Sequence, residues 1–514
     1  MKNKNKQPDA KDSLWTVSTT ILAALLAFPV SIISASLLGS GGIGSLKLIE
    51  VIGSYSARSD FGLTKSYARE IQLIASKNDA KHPIYLSRLA LTTSLVITVF
   101  VILIVFFAYL SGVTFNGSVT NIFTLGLLLT YLLVDRLNLF FGKSLPAHGH
   151  FILQSKSRMY RSILYPIIAI PLIFYWNLNG AIMAIIAARA FDVTYVWLKV
   201  SFKPKWVWNF HEVIRLQNIG IRLWSMNILN VINNSVELIL LSFFLGLKAT
   251  GVYGFALGAI KLFRTFPESQ STLFFRKYAI ETGKNELSKA HYEKAMEIDL
   301  PIFMFITISF CILGYYVYSI LVLVFLREFY ESIFVMEILV AGAVVFSAKM
   351  ISSHILNLLK EFKILLLIPI IMTIFQLILS TYLILEFGIK GAAVGFSVTL
   401  FFSGLLYTIA ATNLVFFNTN RVARFILIFK QVSMSVFSLL IFFYMNTFNY
   451  IFEPLSSFDL GALFEMISQF AINFIVCISS IFIGFAIIYG RAFLERTSEL
   501  VKSMLTVFGI KKTT

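Results

Sequence analysis

Charge of either sign is scarce in this chain: Asp, Glu, Lys and Arg make up 13% of its 514 residues, about half the usual share of a soluble domain. Beside that shortage stand 58% hydrophobic residues, a composition that excludes a water-soluble enzyme. Cysteine is scarcer still. Cys311 and Cys477 both fall inside apolar runs, and two isolated thiols supply neither a disulfide framework nor a zinc site, each of which needs clustered ligands at fixed spacing. They read as packing residues. Acidic residues number 26 against 51 Phe, which excludes disorder, because a chain stays disordered only when it has too little apolar surface to offset the entropy of ordering.

Four short motifs imitate chemistry without its context. Gly39, Gly41 and Gly44 spell G-x-G-x-x-G, but between two long apolar runs rather than after a strand. Gly142, Lys143 and Ser144 end like a P-loop, with Leu137 where its first glycine belongs, and His211-Glu212 begins a zinc motif that ends in Arg215. Asp60-Phe61-Gly62 looks like the kinase metal-binding triplet with no other part of a kinase. No nucleophile is set beside a base and an orienting group.

Long apolar runs are abundant. A helix needs about 20 apolar residues to cross roughly 30 Å of hydrocarbon, and about fourteen candidate runs cover 14–38, 43–64, 86–110, 121–141, 163–176, 181–198, 223–245, 252–275, 300–326, 332–356, 364–385, 392–417, 425–448 and 462–489. The first is too long for a signal-peptide core and lacks an Ala-x-Ala exit, so it reads as a span that stays. With the N-terminus inside, cytoplasmic segments hold 33 of the 43 basic residues, whereas the outer segments hold only Lys248, Arg327 and Lys390. A span missed or invented would switch the side of every later loop, so the asymmetry predicts an even number of spans with both termini cytoplasmic. The same distribution explains the net charge of +17 as insertion and headgroup charge, and no nucleic-acid partner is expected. Outer loops are short, the longest at about 449–461, and the cytoplasmic segment 276–299 reads as an amphipathic stretch along the membrane surface.

The informative residues are the charges inside these runs, since each costs about 2.5–3.5 kcal/mol at the bilayer centre unless it faces a cavity or a partner. The cations are Lys47, Arg58, Arg136, Arg189, Lys261, Arg264 and Lys349; the acids are Glu50, Asp60, Asp135, Asp192, Glu237, Glu268, Glu337 and Glu465. Helical spacing groups Lys47, Glu50, Ser54 and Arg58 in the second run, Asn227, Asn230, Asn234 and Glu237 in the seventh, and Lys261, Arg264, Thr265, Glu268 and Thr272 in the eighth. Lys47 with Glu50, Arg189 with Asp192 and Arg264 with Glu268 stand at pairing distance along a helix, so mutual neutralisation competes with a functional role. Their concentration near the start of each half favours a water-filled pathway. The Glu465, Gln469 and Asn473 stripe of the last run reads either way.

An internal repeat accompanies the stripes. Gly41 and Gly44 open the second run as Gly251 and Gly254 open the eighth, each pair leading through a charged helix to a basic segment. The expected architecture is an all-α polytopic membrane protein of about fourteen transmembrane helices: a tail (1–13), a first six-helix lobe (14–200), a linker (201–222), a second lobe (223–417), two further helices (418–489) and a C-terminal tail (490–514).

The chain resembles the Wzx-type oligosaccharide flippases of the multidrug/oligosaccharidyl-lipid/polysaccharide exporter superfamily. The likeness rests on a Leu-Gly turn, a small-residue step into the second helix, Asp60-Phe61-Gly62-Leu63 followed by Arg69, then Glu237, Leu245-Gly246, Gly251-Val252-Tyr253-Gly254 and Pro267. It departs at Ile43, where an aromatic residue is common, and in the Lys47 and Glu50 pair. The resemblance implies a multi-pass protein of the bacterial cytoplasmic membrane, not an enzyme, that moves undecaprenyl-diphosphate-linked oligosaccharides outward for O antigen, capsule or a related glycan, alongside other polysaccharide assembly proteins. The expected substrate cations are Lys47, Arg58, Arg136, Arg189, Lys261, Arg264 and Lys349, with Asn227, Asn230 and Asn234 as polar cavity groups. No cofactor is expected beyond H⁺ or Na⁺ coupling through Glu50, Asp60, Glu237 or Glu268. A drug or cation antiporter should present a cavity dominated by carboxylates, and a glycan polymerase or ligase a substantial outer loop; both are alternatives that the residues disfavour.

Overall fold

The computed structural model describes residues 10–74, 81–113, 115, 117–200, 205–283, 289–417, 421–446 and 460–507. The outer loop expected at 449–461 lies outside these residues up to 459, as do 1–9 and 508–514 of the two tails, 201–204 of the expected linker and 284–288 of the expected amphipathic segment. The described chain is all helix: α1 (Ala10–Ser56), α2 (Leu63–Ile74), α3 (Lys81–Leu110), α4 (Ile122–Ala147), α5 (Phe151–Lys199), α6 (Phe210–Asn233), α7 (Val236–Phe244), α8 (Gly246–Gly283), α9 (Lys289–Lys294), α10 (Leu300–Phe325), α11 (Glu331–Leu358), α12 (Phe362–Val415), α13 (Arg421–Asn446) and α14 (Leu460–Val507).

Among the described residues ten stretches are long and apolar enough to cross a membrane. Two of them, in α5 and α12, run to 49 and 54 residues and bend at Asn177 and Gly388, so each makes two crossings of about 20 residues. α1 likewise bends at Gly39, where φ is 65°, a conformation that costs glycine nothing. With the first arm of α1 and the more polar α8, the architecture is that of about fourteen transmembrane helices. The outward faces are apolar: α3 exposes Phe100, Ile104 and Phe107, and α12 exposes Ile374, Ile378 and Tyr382. This is a multi-pass membrane protein.

The chain divides into two compact units, Met1–Phe255 with Ile384–Ile389, and Ala256–Leu383 with Lys390–Thr514. In the first unit α1 packs on α5, α4 on α5, and α2 on α6. Its two apolar cores are separated along the chain by a polar level. One core takes Val30, Leu46, Ile49, Val105, Leu128 and Leu132, the other Leu63, Tyr67, Leu89, Phe140 and Val196. Between them along the chain fall Thr98 of α3, Asp135 and Arg136 of α4, and Arg189 and Asp192 in the second arm of α5. The repeat glycines meet directly: a Cβ on Gly44 would lie 2.0 Å from the Leu247 carbonyl oxygen, and one on Gly251 1.7 Å from that of Ser40. Only bare backbone permits that approach of α1 to the start of α8.

The second unit packs α10 against α11 and α14, and α13 against α14. Its interior is aromatic. Phe305 meets Phe482, Phe485 and Phe493 with ring centroids 5.5, 5.7 and 6.0 Å apart, and Tyr315 meets Phe442 at 5.2 Å.

Candidate functional site

The polar level of the first unit is built around a helix end. α1 stops at Ser56, leaving carbonyls without intrahelical donors inside the unit. Arg136, only 1% exposed, answers them. Its guanidinium donates to the Ala57 carbonyl at 3.0 Å and to the Ser56 carbonyl, to Ser59 Oγ at 2.6 Å, and through Nε to Thr98 Oγ1 at 2.9 Å. A cation at a helix C-terminus also opposes the negative end of the helix dipole.

Asp60 fixes the other side of this joint. One carboxylate oxygen accepts from the Gly62 amide at 3.1 Å; the other accepts from the Thr64 amide at 3.0 Å and from the Thr64 hydroxyl, and lies 3.8 Å from Arg136. It thereby fills the anion position at the N-terminus of α2. Phe61 and Gly62 both have positive φ, 47° and 85°. Phe61 sits 5.2 Å from Trp224, whose indole donates to the Arg58 carbonyl at 2.6 Å, and Gly62 abuts Gly220 backbone to backbone. The Asp-Phe-Gly-Leu motif is therefore a turn and capping device joining α2 to α6.

This corrects the helical stripe expected through the second run: Lys47, Glu50 and Ser54 are on α1, but Arg58 and Asp60 lie beyond it. Arg58 folds back to donate to the Ser54 carbonyl at 2.8 Å. Lys47 and Glu50 pair at 2.8 Å, as their spacing suggested. Arg189 and Asp192 do not pair. Arg189 bonds to Asp135 across the α4–α5 interface and lies 4.9 Å above the Tyr131 ring, while Asp192 takes Arg161 at 2.9 Å, Asn138 at 2.7 Å and Ser157. Tertiary partners at these distances win over neighbours along the helix.

The stripe expected in the seventh run is also interrupted. The helix ends at Asn233; the Asn234 side chain donates to the Asn230 carbonyl at 2.6 Å, and Ser235 bonds the Val231 carbonyl at 2.8 Å and Tyr55 at 2.9 Å. Such local side-chain bonds compete with helix continuation. Asn227 and Asn230 thus belong to α6, and Glu237, 1% exposed, opens α7 with Tyr253 as an ionisable neighbour.

In the second unit Arg264 pairs with Glu268 at 3.1 Å. Lys261 is one turn earlier on α8, and its carbonyl accepts from Thr265 at 3.0 Å. Lys349 of α11 places its ammonium 5.2 Å from the Tyr407 ring and is acted on by the Arg264 charge. Arg161, Thr98 and Ser59 are the site residues that sequence reasoning missed. By sequence Arg161 belongs to a basic loop, and nothing local marks a threonine or serine as the partner of a distant arginine.

A cavity of about 570 Å³ adjoins the polar level of the first unit. Val51, Val101, Val105 and Ile239 form apolar walls, and Tyr55, Ser56 and Ser59 supply its polar end. An amphipathic ligand matches this juxtaposition of hydrocarbon and hydrogen-bonding groups.

Solved structures share this fold. The chain superposes on "Lipid II flippase MurJ, inward closed conformation" with a TM-score of 0.65 and 14% identity, covering 91% of this chain and 98% of that one. The fold is that of the MurJ and MATE transporters. A multidrug resistance MATE family transporter of the MOP superfamily, in an inward-facing conformation, matches with a TM-score of 0.57 and 14% identity over 78% of this chain and 98% of that one. A point mutant of the Vibrio cholerae MATE transporter VcmN matches at 0.51 and 17% identity over 82% and 98%. No protein-family profile and no curated protein sequence matches the chain. The MurJ match covers more residues than precede α13, so it extends into the last two helices.

Proposed function

We propose that the chain is a flippase that carries undecaprenyl-diphosphate-linked oligosaccharide repeat units outward across the bacterial cytoplasmic membrane, by alternating access of lobes 14–200 and 223–417. One observation carries this reading: an interior level of charged groups with a small excess of cations meets an apolar cavity at Ser56 and Ser59. Glu50, Asp60, Asp135 and Asp192 each face a cation, and Arg58 stands beyond those pairs. An incoming diphosphate meets positive charge there, while a lipid chain finds hydrocarbon beside it. A cation antiporter needs the reverse balance, so the MATE-like part of the fold does not favour a drug-export reading.

Within this proposal Arg58 and Arg264 receive the phosphate-bearing group, joined by Lys261, Lys349, Lys47 and Arg189. Asn227, Asn230 and Asn234 offer hydrogen bonds to sugars. Arg136 serves by holding the end of α1, since its donors are spent on that task. Ion coupling is assigned to Glu237, with Glu50 and Glu268 as secondary groups; Asp60 is occupied by the α2 cap. A deletion strain tests the function: lipid-linked glycan should accumulate in the inner leaflet and surface glycan should disappear. Normal surface glycan in that strain would overturn the proposal.

A further inference from the structure

Arg58, Lys65, Lys143 and Arg158 come from four separate stretches of the first unit: the turn after α1, the first turn of α2, the end of α4 and the start of α5. Bonds between their immediate neighbours draw these stretches together. Tyr67, two residues after Lys65, donates its hydroxyl to Ser144, which follows Lys143. Gln154, one turn before Arg158, donates to the Gly142 carbonyl at 2.7 Å. Asp60 accepts from the Thr64 amide at 3.0 Å, folding the turn with Arg58 onto the one with Lys65.

Among the described residues none of the four makes an ion pair, in contrast to Lys47, Arg136, Arg161, Arg189 and Arg215. The three nearby carboxylates are committed, Asp135 to Arg189, Asp60 to Thr64 and Arg136, and Asp192 to Arg161, Asn138 and Ser157. The crowding is felt at Lys65, whose ammonium is pushed down to about 8 by burial and then by the Lys143 and Arg58 charges, with Asp60 opposing. At 1.5 Å per residue, Lys143 lies about 10 Å along α4 from Arg136, toward the end that the basic loops assign to the cytoplasm.

We propose that Arg58, Lys65, Lys143 and Arg158 form a binding site for the phosphate headgroup of a lipid. Four cations held together, with the nearby carboxylates already paired to other cations, are unfavourable until an anion joins them, and two arginines add bidentate geometry for phosphate oxygens. The ligand is a lipid because the arm of α5 that carries Arg158 also exposes Ile152, Tyr160 and Ile163, so the site borders hydrocarbon. The same headgroup chemistry has two sources, the prenyl diphosphate of the cargo or bulk anionic phospholipid. As the cargo's landing place the site rests on the function proposed above; as a phospholipid site it stands without it.

The test uses the purified full chain in phosphatidylcholine nanodiscs doped with either farnesyl diphosphate or phosphatidylglycerol, reading retained lipid by native mass spectrometry. The wild type should retain one of them, and which one identifies the source. The Lys65→Gln, Lys143→Gln, Arg158→Gln variant should lose retention by about tenfold to a hundredfold. The charge-keeping Lys65→Arg, Lys143→Arg, Arg158→Lys variant should retain it, which excludes misfolding as the cause, and Arg421→Gln, Lys430→Gln on α13 should behave as wild type. Undiminished retention in the glutamine variant, an equal loss on α13, or no retention of either lipid by wild type overturns the site. Retention without transport of any lipid-linked oligosaccharide by wild type would instead overturn the function and leave the site standing.

Discussion

The two units solve the same problem, burying polar groups within the membrane, in different ways. The first unit breaks α1 inside itself and satisfies the break with charge: Arg136, Asp60, the Arg189–Asp135 pair and the Arg161–Asp192 pair form one polar level between two apolar cores. In the second unit the Arg264–Glu268 pair is partly exposed at its glutamate, and the packing centres on Phe305, Phe442, Phe485 and Phe493. Charge in the first unit is architectural as well as functional, and the two roles can be separated by mutation.

The largest difference is expected at the arginines. Arg136→Ala leaves carbonyls and Asp60 buried without their cation, and should cost about 3 kcal/mol or more in a thermal or denaturant unfolding assay of the purified protein. Arg264→Ala removes a buried cation but leaves a half-exposed carboxylate that water can solvate, and should cost less, about 1–2 kcal/mol. Equal losses would erase the contrast between the units.

Next come the glycines. A Cβ at Gly62, where φ is +85°, would meet the Gly220 carbonyl oxygen at 2.2 Å, and backbone cannot step aside. At Gly314 of the second unit the obstacle is the Phe263 ring at 2.4 Å, a side chain with other rotamers. Gly62→Ala should therefore abolish or sharply reduce folded yield, measured by size-exclusion chromatography, while Gly314→Ala should lower it modestly.

How far the sequence discloses all this depends on whether the determining contacts are local. The bends at Gly39, Asn177 and Gly388 fall in gaps between the apolar runs at 14–38 and 43–64, 163–176 and 181–198, and 364–385 and 392–417, because hydrocarbon length is a property of consecutive residues. Helical spacing likewise pairs Lys47 with Glu50 and Arg264 with Glu268. It fails for Arg189 and Asp192, whose partners come from α4 and from the other arm of α5, and for Arg58, which lies beyond the end of α1 at Ser56 in the turn that Asp60 caps into α2. Sequence periodicity reports a helix's own face; it is silent on which other helix that face meets.

The smallest expected effect is a pH dependence of lipid retention at the cation cluster of the first unit. Lys65 loses its charge as pH rises through about 8, so retention of a phosphate lipid should weaken by a few-fold between pH 7 and 9. The sign follows from its depressed pKa, because the charged form, not the neutral one, receives the anion. Lys65→Gln should flatten the profile, whereas Lys430→Gln in the second unit should leave it unchanged.

The central claim is most directly tested in proteoliposomes that report the leaflet of a fluorescent undecaprenyl-diphosphate-linked oligosaccharide. The account predicts that wild type moves it across under an imposed ion gradient. Arg58→Ala, Arg264→Ala protein of normal fold should fail to do so, and Glu237→Gln should bind the headgroup but lose the gradient dependence. Transport by the double arginine variant at the wild-type rate would contradict the account.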